Sequence, residues 1–284
     1  MKAPAFDYVR PSDLDGALAL RARYGDAAQY LAGGQSLMPS LHFRVASPRL
    51  LIDINRIGSL RGIERRGDFV RIGALARHAE VEASEIVRAD VPLIAEAVRH
   101  VAHPAIRSRG TFGGSLALAD PAAELPACAV ALGAEIVVAG QGGMRRVAAR
   151  DFFRGLFETA LAPGEIVVEA TIPRQEARQR SAFLELSPRR GDFATVGVAC
   201  QADLEGDKVS ALRLVVFGSE PYPRVARRAQ AAAEGARLAP ELGAPVAEAL
   251  EGDLEPMANA QGSAAFKRHL AAVLARRAIE RMAA

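Results

Sequence analysis

The sequence predicts an α+β protein built from two or three domains. Its 284 residues exceed the size of one typical hydrophobic core, and half of them are hydrophobic. Strand patterns and helix patterns are mixed along the chain without a regular βαβ order. The 36 basic and 33 acidic residues nearly balance and are interspersed, and tryptophan is absent, which argues against a nucleic-acid-binding protein.

The first domain is expected to span residues 1–57. Ser12 is predicted to cap a helix that buries Ala17 and Leu18 and ends at Gly25. Three further elements follow: a strand over 29–31, a helical turn that begins at Leu37, and a strand over 50–54.

The second domain is expected to span residues 58–176 and to mix strands with helices. The patterns predict a polar turn over 65–68, a strand over 69–73, helices over 80–84, 92–101 and 122–132, a non-helical connection over 103–110, a hairpin with strands at 135–139 and 145–147, and a strand over 166–172. A polar stretch after Pro173 marks its end.

The third domain is expected to span residues 177–284, with a small sheet followed by helices. Strands over 195–202 and 209–217 form a hairpin, and Cys200 is predicted to be a structural strand residue. Alanine, leucine and arginine dominate after residue 225, where we expect helices. One face of the last helix carries Phe266, Leu270, Val273 and Leu274.

Cysteine and histidine usage limits the chemistry that the chain can carry. Cys128 and Cys200 are too few for a disulfide framework or a cysteine-ligated iron–sulfur cluster, which favours a reducing compartment. The N-terminus lacks a signal-peptide pattern and no apolar run reaches 18 residues, so we expect a cytoplasmic protein. The five histidines are scattered without metal-ligand spacing, and we expect neither a metal site nor a catalytic acid–base pair.

Two separated glycine-rich segments are the strongest functional signal. Ala32-Gly33-Gly34-Gln35-Ser36 and Thr111-Phe112-Gly113-Gly114-Ser115 both carry a Gly-Gly pair near a serine, and both are predicted at strand ends. Backbone N–H groups of such segments bind phosphates, so the pair predicts a nucleotide site. On this interpretation, valine at Gly34 or Gly114 fills the phosphate space and leaves the fold largely intact. The chain has neither a GxGxxG nor a P-loop pattern.

These residues carry a family resemblance that covers nearly the whole chain. The chain resembles the FAD-binding medium subunit of molybdenum hydroxylases, the family of carbon monoxide dehydrogenase and xanthine dehydrogenase. The resemblance rests on five segments and on their order: 32–37, 51–54, 72–75, 106–115 and 120–126, followed by Arg190-Gly191-Asp192-Phe193-Ala194.

The resemblance implies a two-subdomain FAD-binding fold of the vanillyl-alcohol-oxidase type, followed by a small antiparallel sheet and a helical bundle. It implies that both glycine segments surround the FAD pyrophosphate, that Glu124 lies near the ribityl chain or the phosphates, that Val167 faces the flavin through its backbone, and that Phe193 stacks beside the isoalloxazine. The residues implied to bind FAD are Ala32, Gly33, Gly34, Gln35, Ser36, Leu37, Ile106, Gly110, Thr111, Gly113, Gly114, Ser115, Asp120, Glu124, Val167 and Phe193.

Three positions depart from the family pattern. Phe112 stands where isoleucine is common. Leu184 stands where eukaryotic xanthine dehydrogenases carry a lysine near the flavin, which argues against their NAD chemistry here. Gln35 is neither histidine nor cysteine, so we expect FAD to be held noncovalently.

The resemblance also implies partners. A large subunit would hold molybdopterin and oxidise the substrate, a small [2Fe–2S] subunit would pass electrons to FAD on this chain, and two such heterotrimers would form a heterohexamer. Two other functions stay open at this stage: a self-contained FAD-dependent oxidoreductase, and a nucleotide-binding interaction module without redox activity.

Overall fold

The computed structural model describes residues 2–284, and within these residues the strands form four separate sheets. They have three, five, four and two strands; the three-stranded sheet alternates strands with helices along the chain, and the two-stranded sheet lies in sequence between two strands of the five-stranded one. The α+β class predicted from the sequence is confirmed. No helix in the described part of the chain is long and apolar enough to cross a membrane.

The N-terminal unit is a three-stranded parallel sheet with two helices. Its elements are β1 (Asp7–Val9), α1 (Leu14–Tyr24), β2 (Ala28–Leu31), α2 (Leu37–His42) and β3 (Leu50–Asp53). The strand order is β1-β3-β2, so β3 lies in the centre and is buried along its whole length.

The cap of α1 differs from the prediction. Asp13, not Ser12, caps the helix, because its carboxylate accepts the Gly16 N–H at 2.8 Å. The Ser12 hydroxyl donates to the same carboxylate instead. Gly25 ends the helix at φ 53°, as predicted.

The middle unit contains the largest sheet and most of the short helices. Its elements are β4 (Ile63–Arg66), β5 (Phe69–Gly73), α3 (His78–Ala83), α4 (Glu85–Asp90), α5 (Pro92–Ala97), α6 (Pro104–Arg107), α7 (Phe112–Leu118), α8 (Glu124–Ala131), β6 (Glu135–Gly140), β7 (Gly143–Ala148), α9 (Ala149–Phe152), β8 (Phe153–Gly155), β9 (Glu158–Thr159) and β10 (Ile166–Pro173). Its five-stranded sheet is antiparallel, in the order β4-β5-β10-β6-β7.

Four local features of this unit differ from the predicted pattern. The polar stretch before β5 is strand β4 up to Arg66, because β4 and β5 pair as a hairpin. Helix α4 was not predicted. The connection over 103–110 contains helix α6, which Pro104 starts at its first position. The second glycine segment lies in the first turn of α7 and not at the end of a strand.

The C-terminal unit is a four-stranded antiparallel sheet covered by helices. Its elements are β11 (Gln179–Leu186), β12 (Val196–Glu205), β13 (Lys208–Phe217), β14 (Arg224–Val225), α10 (Arg227–Ala233), α11 (Gly243–Leu250) and α12 (Ala264–Ala283). The predicted hairpin is confirmed as β12 and β13, and Cys200 is buried in β12.

The buried face of α12 is only partly the predicted one. Leu274 is buried, but Phe266 is exposed. The buried residues of the helix are Lys267, Ala271, Leu274, Ala275, Ala278, Ile279 and Met282, and the three small alanines among them let the helix approach β11 and β12 closely.

Helix α8 joins the middle and C-terminal units. All of its residues are buried, and it packs against α5 and α7 on one side and against β12 and β13 on the other. Phe183 and Phe217 from the C-terminal sheet belong to the same hydrophobic cluster as the core of the middle unit. The two aromatic rings stack with their centroids 5.6 Å apart.

Gly197 on β12 is expected to be essential for this packing. A Cβ at Gly197 would overlap the ring of Phe217, with Cε2 only 2.9 Å away, and Phe217 is fully buried against Phe183. Gly197→Ala should therefore lower the free energy of unfolding by about 1–3 kcal/mol, measured by urea denaturation followed by circular dichroism.

Gly58→Ala is the matched control for this substitution. No atom lies within 4 Å of a Cβ at Gly58, and its φ is not positive, so its stability should stay within about 0.5 kcal/mol of the parent. Equal stability of both variants would contradict the packing described here.

Candidate functional site

One cavity of about 1120 Å³ lies where the three units meet. The N-terminal unit contributes the segment after β2, the middle unit contributes the start of α7 and the edge of β10, and the C-terminal unit contributes the loop between β11 and β12. Every residue implied by the family resemblance to bind FAD lines this cavity: Ala32, Gly33, Gly34, Gln35, Ser36, Leu37, Ile106, Gly110, Thr111, Gly113, Gly114, Ser115, Asp120, Glu124, Val167 and Phe193.

The first glycine segment presents a row of unused backbone donors. It connects β2 to α2, and Gly34 has a positive φ of 73°. Within residues 2–284, no protein acceptor receives a hydrogen bond from the backbone N–H groups of residues 32–37. Consecutive free N–H groups at a concave surface bind anions such as phosphate. The backbone N–H groups of residues 32–37 are therefore available to an anion, and the phosphate-binding role of this segment stays a prediction.

The second glycine segment differs, because its backbone donors are already used. The N–H groups of Phe112 and Gly113 donate to Ala76 O and Ala74 O, each at 2.9 Å. The Thr111 hydroxyl accepts the Gly114 N–H at 3.1 Å, and Thr111 O accepts the Ser115 N–H. The prediction that both segments offer backbone donors to a phosphate is wrong for residues 112–115, because the carbonyls of Ala76 and Ala74 occupy the first two donors and the cap of α7 occupies the other two.

The glycines chiefly allow close packing of backbone. A Cβ at Gly33 would overlap the Arg109 carbonyl oxygen and lie 2.9 Å from Gly110 Cα, and a Cβ at Gly113 would lie 2.7 Å from Ala74 Cα. These two glycines hold the two segments against each other and against the end of β5.

The expectation that valine at Gly34 or Gly114 would leave the fold largely intact is wrong. A Cβ at Gly114 would lie 2.6 Å from the Thr111 hydroxyl that caps α7. At Gly34 the positive φ strains any branched side chain, and the Cβ would meet Leu31 and Met38 at 3.2–3.3 Å. Valine at either position therefore disturbs the local packing or backbone of the protein, and its effect is not confined to the cavity.

A polar bridge that the sequence did not reveal ties the two segments together. The Asn55 amide donates to Ala32 O at 2.8 Å, which fixes the first segment. The Arg77 guanidinium donates to Asn55 Oδ1 and also to Arg109 O, directly before the second segment. Asn55 lies in a turn and Arg77 lies at the start of α3, and neither position gives a sequence signal for such a bridge.

Two carboxyl groups, those of Asp120 and Glu124, line the cavity and differ in how deeply they are buried. Asp120 accepts the Ala122 N–H at 2.9 Å, and burial raises its pKa. Glu124, the first residue of α8, is more deeply buried. Burial, followed by the charge of Glu185, raises the pKa of Glu124 to about 8.

The C-terminal unit places an exposed aromatic ring at the cavity. Phe193 lies in the loop between β11 and β12 and leaves 65% of its surface exposed. Gly191 in the same loop packs against His103, where a Cβ would come within 2.6 Å of the imidazole. Val167, which also lines the cavity, lies at a register shift in the pairing of β10 with β6.

His78 also lines the cavity, although its sequence context gave no functional signal. His78 is the first residue of α3 and is only 6% exposed. Within the described residues neither of its ring nitrogens makes a hydrogen bond. Burial lowers its pKa to about 4, so the imidazole is neutral at physiological pH. No group of three or more potential metal ligands was found over residues 2–284.

Two family models match the chain and together span most of it. Residues 4–175 match the FAD-binding domain in molybdopterin dehydrogenase, and residues 181–282 match the CO dehydrogenase flavoprotein C-terminal domain.

Curated relatives match over nearly their full lengths. The chain is 37% identical to the 6-hydroxypseudooxynicotine dehydrogenase complex subunit alpha of Paenarthrobacter nicotinovorans, covering 98% of this chain and 95% of the relative. It is 36% identical to the carbon monoxide dehydrogenase medium chain of Hydrogenophaga pseudoflava, covering 98% and 97%.

Solved structures of similar proteins share the whole fold. The carbon monoxide dehydrogenase of Hydrogenophaga pseudoflava that lacks the Mo-pyranopterin moiety superposes with a TM-score of 0.96 at 37% identity, covering 100% of this chain and 98% of that chain. Quinoline 2-oxidoreductase of Pseudomonas putida 86 gives a TM-score of 0.95 at 34% identity, with the same coverage.

The buried neutral state of His78 predicts a pH-dependent stability. Its folded-state pKa of about 4 lies below the ordinary value of 6.5, so between these pH values the unfolded chain binds more protons and acid favours unfolding. Lowering the pH from 7 to 5 should cost about 2 kcal/mol through this group. His78→Gln should remove that part of the pH dependence of the free energy of unfolding.

His42→Gln serves as control, because it makes the same change at an exposed histidine. Its pH profile should match that of the parent. If His78→Gln and the parent lost stability equally on acidification, His78 would not be buried as a neutral group.

Proposed function

Because the chain belongs to the family of FAD-binding subunits of molybdenum hydroxylases, we propose that it binds one FAD noncovalently in the cavity and serves as the electron-transferring medium subunit of a heteromeric complex. The observation that carries this proposal is the row of unused N–H groups over 32–37, which opens into a cavity lined by every residue that the resemblance implied. Such donors suit a pyrophosphate.

The remaining walls of the cavity fit the other parts of FAD. Asp120 and Glu124 offer oxygen acceptors for ribityl hydroxyl groups, and Ser115, the last residue of the second segment, also lines the cavity. The ring of Phe193 is largely exposed, so one of its faces is available to stack against an isoalloxazine. Gln35 has no nucleophilic atom for a covalent link to the flavin.

Bound FAD would supply the redox chemistry, and the protein would hold and orient it. We propose that a small [2Fe–2S] subunit delivers the electrons, that a large molybdopterin subunit oxidises and selects the substrate, and that an external acceptor reoxidises the flavin. We further propose a dimer of heterotrimers, with domains of this chain divided near residues 57 and 176.

The absorption spectrum of the purified chain tests the cofactor assignment. The chain expressed alone should carry, or take up, one FAD per chain, and acid denaturation should release all of it for chromatography. A colourless chain that fails to take up added FAD would favour the nucleotide-binding module without redox activity. Turnover of a substrate by the chain without partners would favour the self-contained oxidoreductase.

Gly33→Ala should weaken FAD binding by about tenfold or more, because the added Cβ pushes the first segment away from Arg109 and Gly110 and misaligns the N–H groups. Equilibrium titration with FAD, followed by absorbance, measures the dissociation constant. Gly58→Ala, at a position with open space around it, should bind FAD as the parent does. Parental affinity in Gly33→Ala would contradict the proposed arrangement of the two segments.

Phe193→Ala should weaken FAD binding several-fold and raise the fluorescence of bound FAD, since a stacked aromatic ring stabilises the flavin and quenches its emission. Phe157→Ala is the matched control, because Phe157 is 54% exposed but does not line the cavity. Phe157→Ala should change neither quantity. If the two variants behaved alike, Phe193 would have no contact with the flavin.

A further inference from the structure

Asp53 begins a chain of hydrogen bonds that ends at the first glycine segment. It is the last residue of β3, and its side chain is only 8% exposed. Its Oδ1 accepts the Asn55 backbone N–H at 2.9 Å and the Asn55 side-chain amide at 2.6 Å. The same amide nitrogen donates to Ala32 O at 2.8 Å. Asp53 therefore contacts the group that holds the first segment, although Asp53 itself does not line the cavity.

The second carboxylate oxygen of Asp53 is held from the side of strand β1. The Tyr8 hydroxyl donates to Oδ2, and Arg10 Nε lies 3.1 Å from the same oxygen. Burial raises the pKa of Asp53, but hydrogen bonds from Tyr8 and Asn55 and the charge of Arg10 outweigh it, and the net shift is downward. The carboxylate is therefore ionised at neutral pH and can only accept hydrogen bonds.

The Asn55 amide has one favourable orientation between its two polar neighbours. The carboxylate of Asp53 only accepts hydrogen bonds, so the NH₂ group must face it. The guanidinium of Arg77 only donates, so Oδ1 must face it. Turning the amide over would place its oxygen against the carboxylate and its NH₂ group against the guanidinium. Asp53 and Arg77 together thus direct the NH₂ group to Ala32 O.

The hydrogen bond at Ala32 O sets the direction of the next backbone N–H. The Ala32 C=O and the Gly33 N–H belong to one planar trans peptide, so they point in opposite directions. The Gly33 N–H has no protein acceptor within the described residues, and Gly33 lines the cavity. The peptide that follows is held in the same way, because the Gln35 side chain donates to Gly33 O at 3.1 Å.

We propose that Asp53 is a positioning residue for FAD binding: its carboxylate orients the Asn55 amide, and the amide orients the Gly33 N–H that binds the pyrophosphate. The inference rests on the proposed function, because the direction of this N–H matters only when an anion occupies the cavity. Asp53 acts through two hydrogen bonds in series and does not touch the ligand. Tyr8 and Arg10 hold Asp53 in place, so the N-terminal strand takes part in the same arrangement.

Equilibrium titration of the full chain with FAD tests this role. Asp53→Asn keeps the shape of the side chain but lets it donate as well as accept, so the Asn55 amide loses its fixed orientation and FAD should bind about tenfold more weakly. Asp90→Asn is the matched control, because Asp90 is also buried and paired with Arg65 and Arg174 but does not line the cavity. It should lower stability and keep the parental affinity. Parental affinity in Asp53→Asn would overturn the proposal.

A double-mutant cycle separates a positioning role from a general structural one. If Asp53 acts through the Asn55 amide, Asp53→Asn should change the FAD affinity by less than about twofold once Asn55→Ala has removed that amide. An equal loss of affinity in the parent and in the Asn55→Ala background would show that Asp53 acts by another route, and the proposal would fall.

Tyr8→Phe is a milder variant for the case in which Asp53→Asn does not fold. Tyr8 is 53% exposed, so loss of its hydroxyl spares the core. Because Asp53 is then held less firmly, FAD should bind about two- to threefold more weakly. Tyr24→Phe, at a tyrosine that is 42% exposed and does not line the cavity, should bind FAD as the parent does. Equal affinities of the two tyrosine variants would contradict the positioning role.

The ¹H–¹⁵N NMR spectrum of the chain without FAD separates this proposal from the proposed function. The side-chain amide signal of Asn55, identified as the one lost in Asn55→Ala, should shift in Asp53→Asn and stay in place in Asp90→Asn. A parent that binds no FAD would overturn the proposed function. An Asn55 signal that stays in place in Asp53→Asn would overturn the orientation of Asn55 by Asp53, whether or not FAD binds.

Discussion

The candidate site depends on the close contact between two glycine segments that are far apart in the chain. Gly33 packs directly on the backbone of Arg109 and Gly110, where no side chain fits, and Asn55 and Arg77 bridge the same two segments by hydrogen bonds. Because this contact joins the N-terminal and middle units, the position of each segment fixes the other. Residues 32–37, whose N–H groups have no protein acceptor, line the cavity, so a change in this contact would move them.

The two segments look alike in sequence but differ in whether their backbone N–H groups are free. The first keeps its backbone donors free, since it forms an open loop between β2 and α2. In the second segment, two N–H groups form the cap of α7 and two donate to the carbonyls of Ala74 and Ala76, which follow β5. The second segment is therefore the rigid surface against which the first is held. Similar composition therefore does not imply similar chemistry, because the local fold decides which backbone groups remain available.

Much of the fold was predictable because its signals are local. Alternating apolar residues located β5, β12 and β13, and Gly25 marked the end of α1. The failures have a different origin: the cap at Asp13 depends on backbone geometry, and the buried face of α12 depends on which side chains permit a close approach to the sheet. Outside the two glycine segments, the site residues could be named only through the family resemblance. The Asn55–Arg77 bridge had no signal, since it joins segments that meet only in the folded chain.

The packing of helix α8 explains why a carboxyl group at the cavity has a raised pKa. It is buried on all sides between the middle unit and the C-terminal sheet, and it presents Glu124 to the cavity at its first turn. The N-terminal end of a helix favours a negative charge, yet burial and the nearby Glu185 outweigh this and raise the pKa of Glu124 to about 8. The same packing that closes the core thus creates a proton-holding group beside the cavity, and a fully solvated carboxylate at that position would remain ionised at neutral pH.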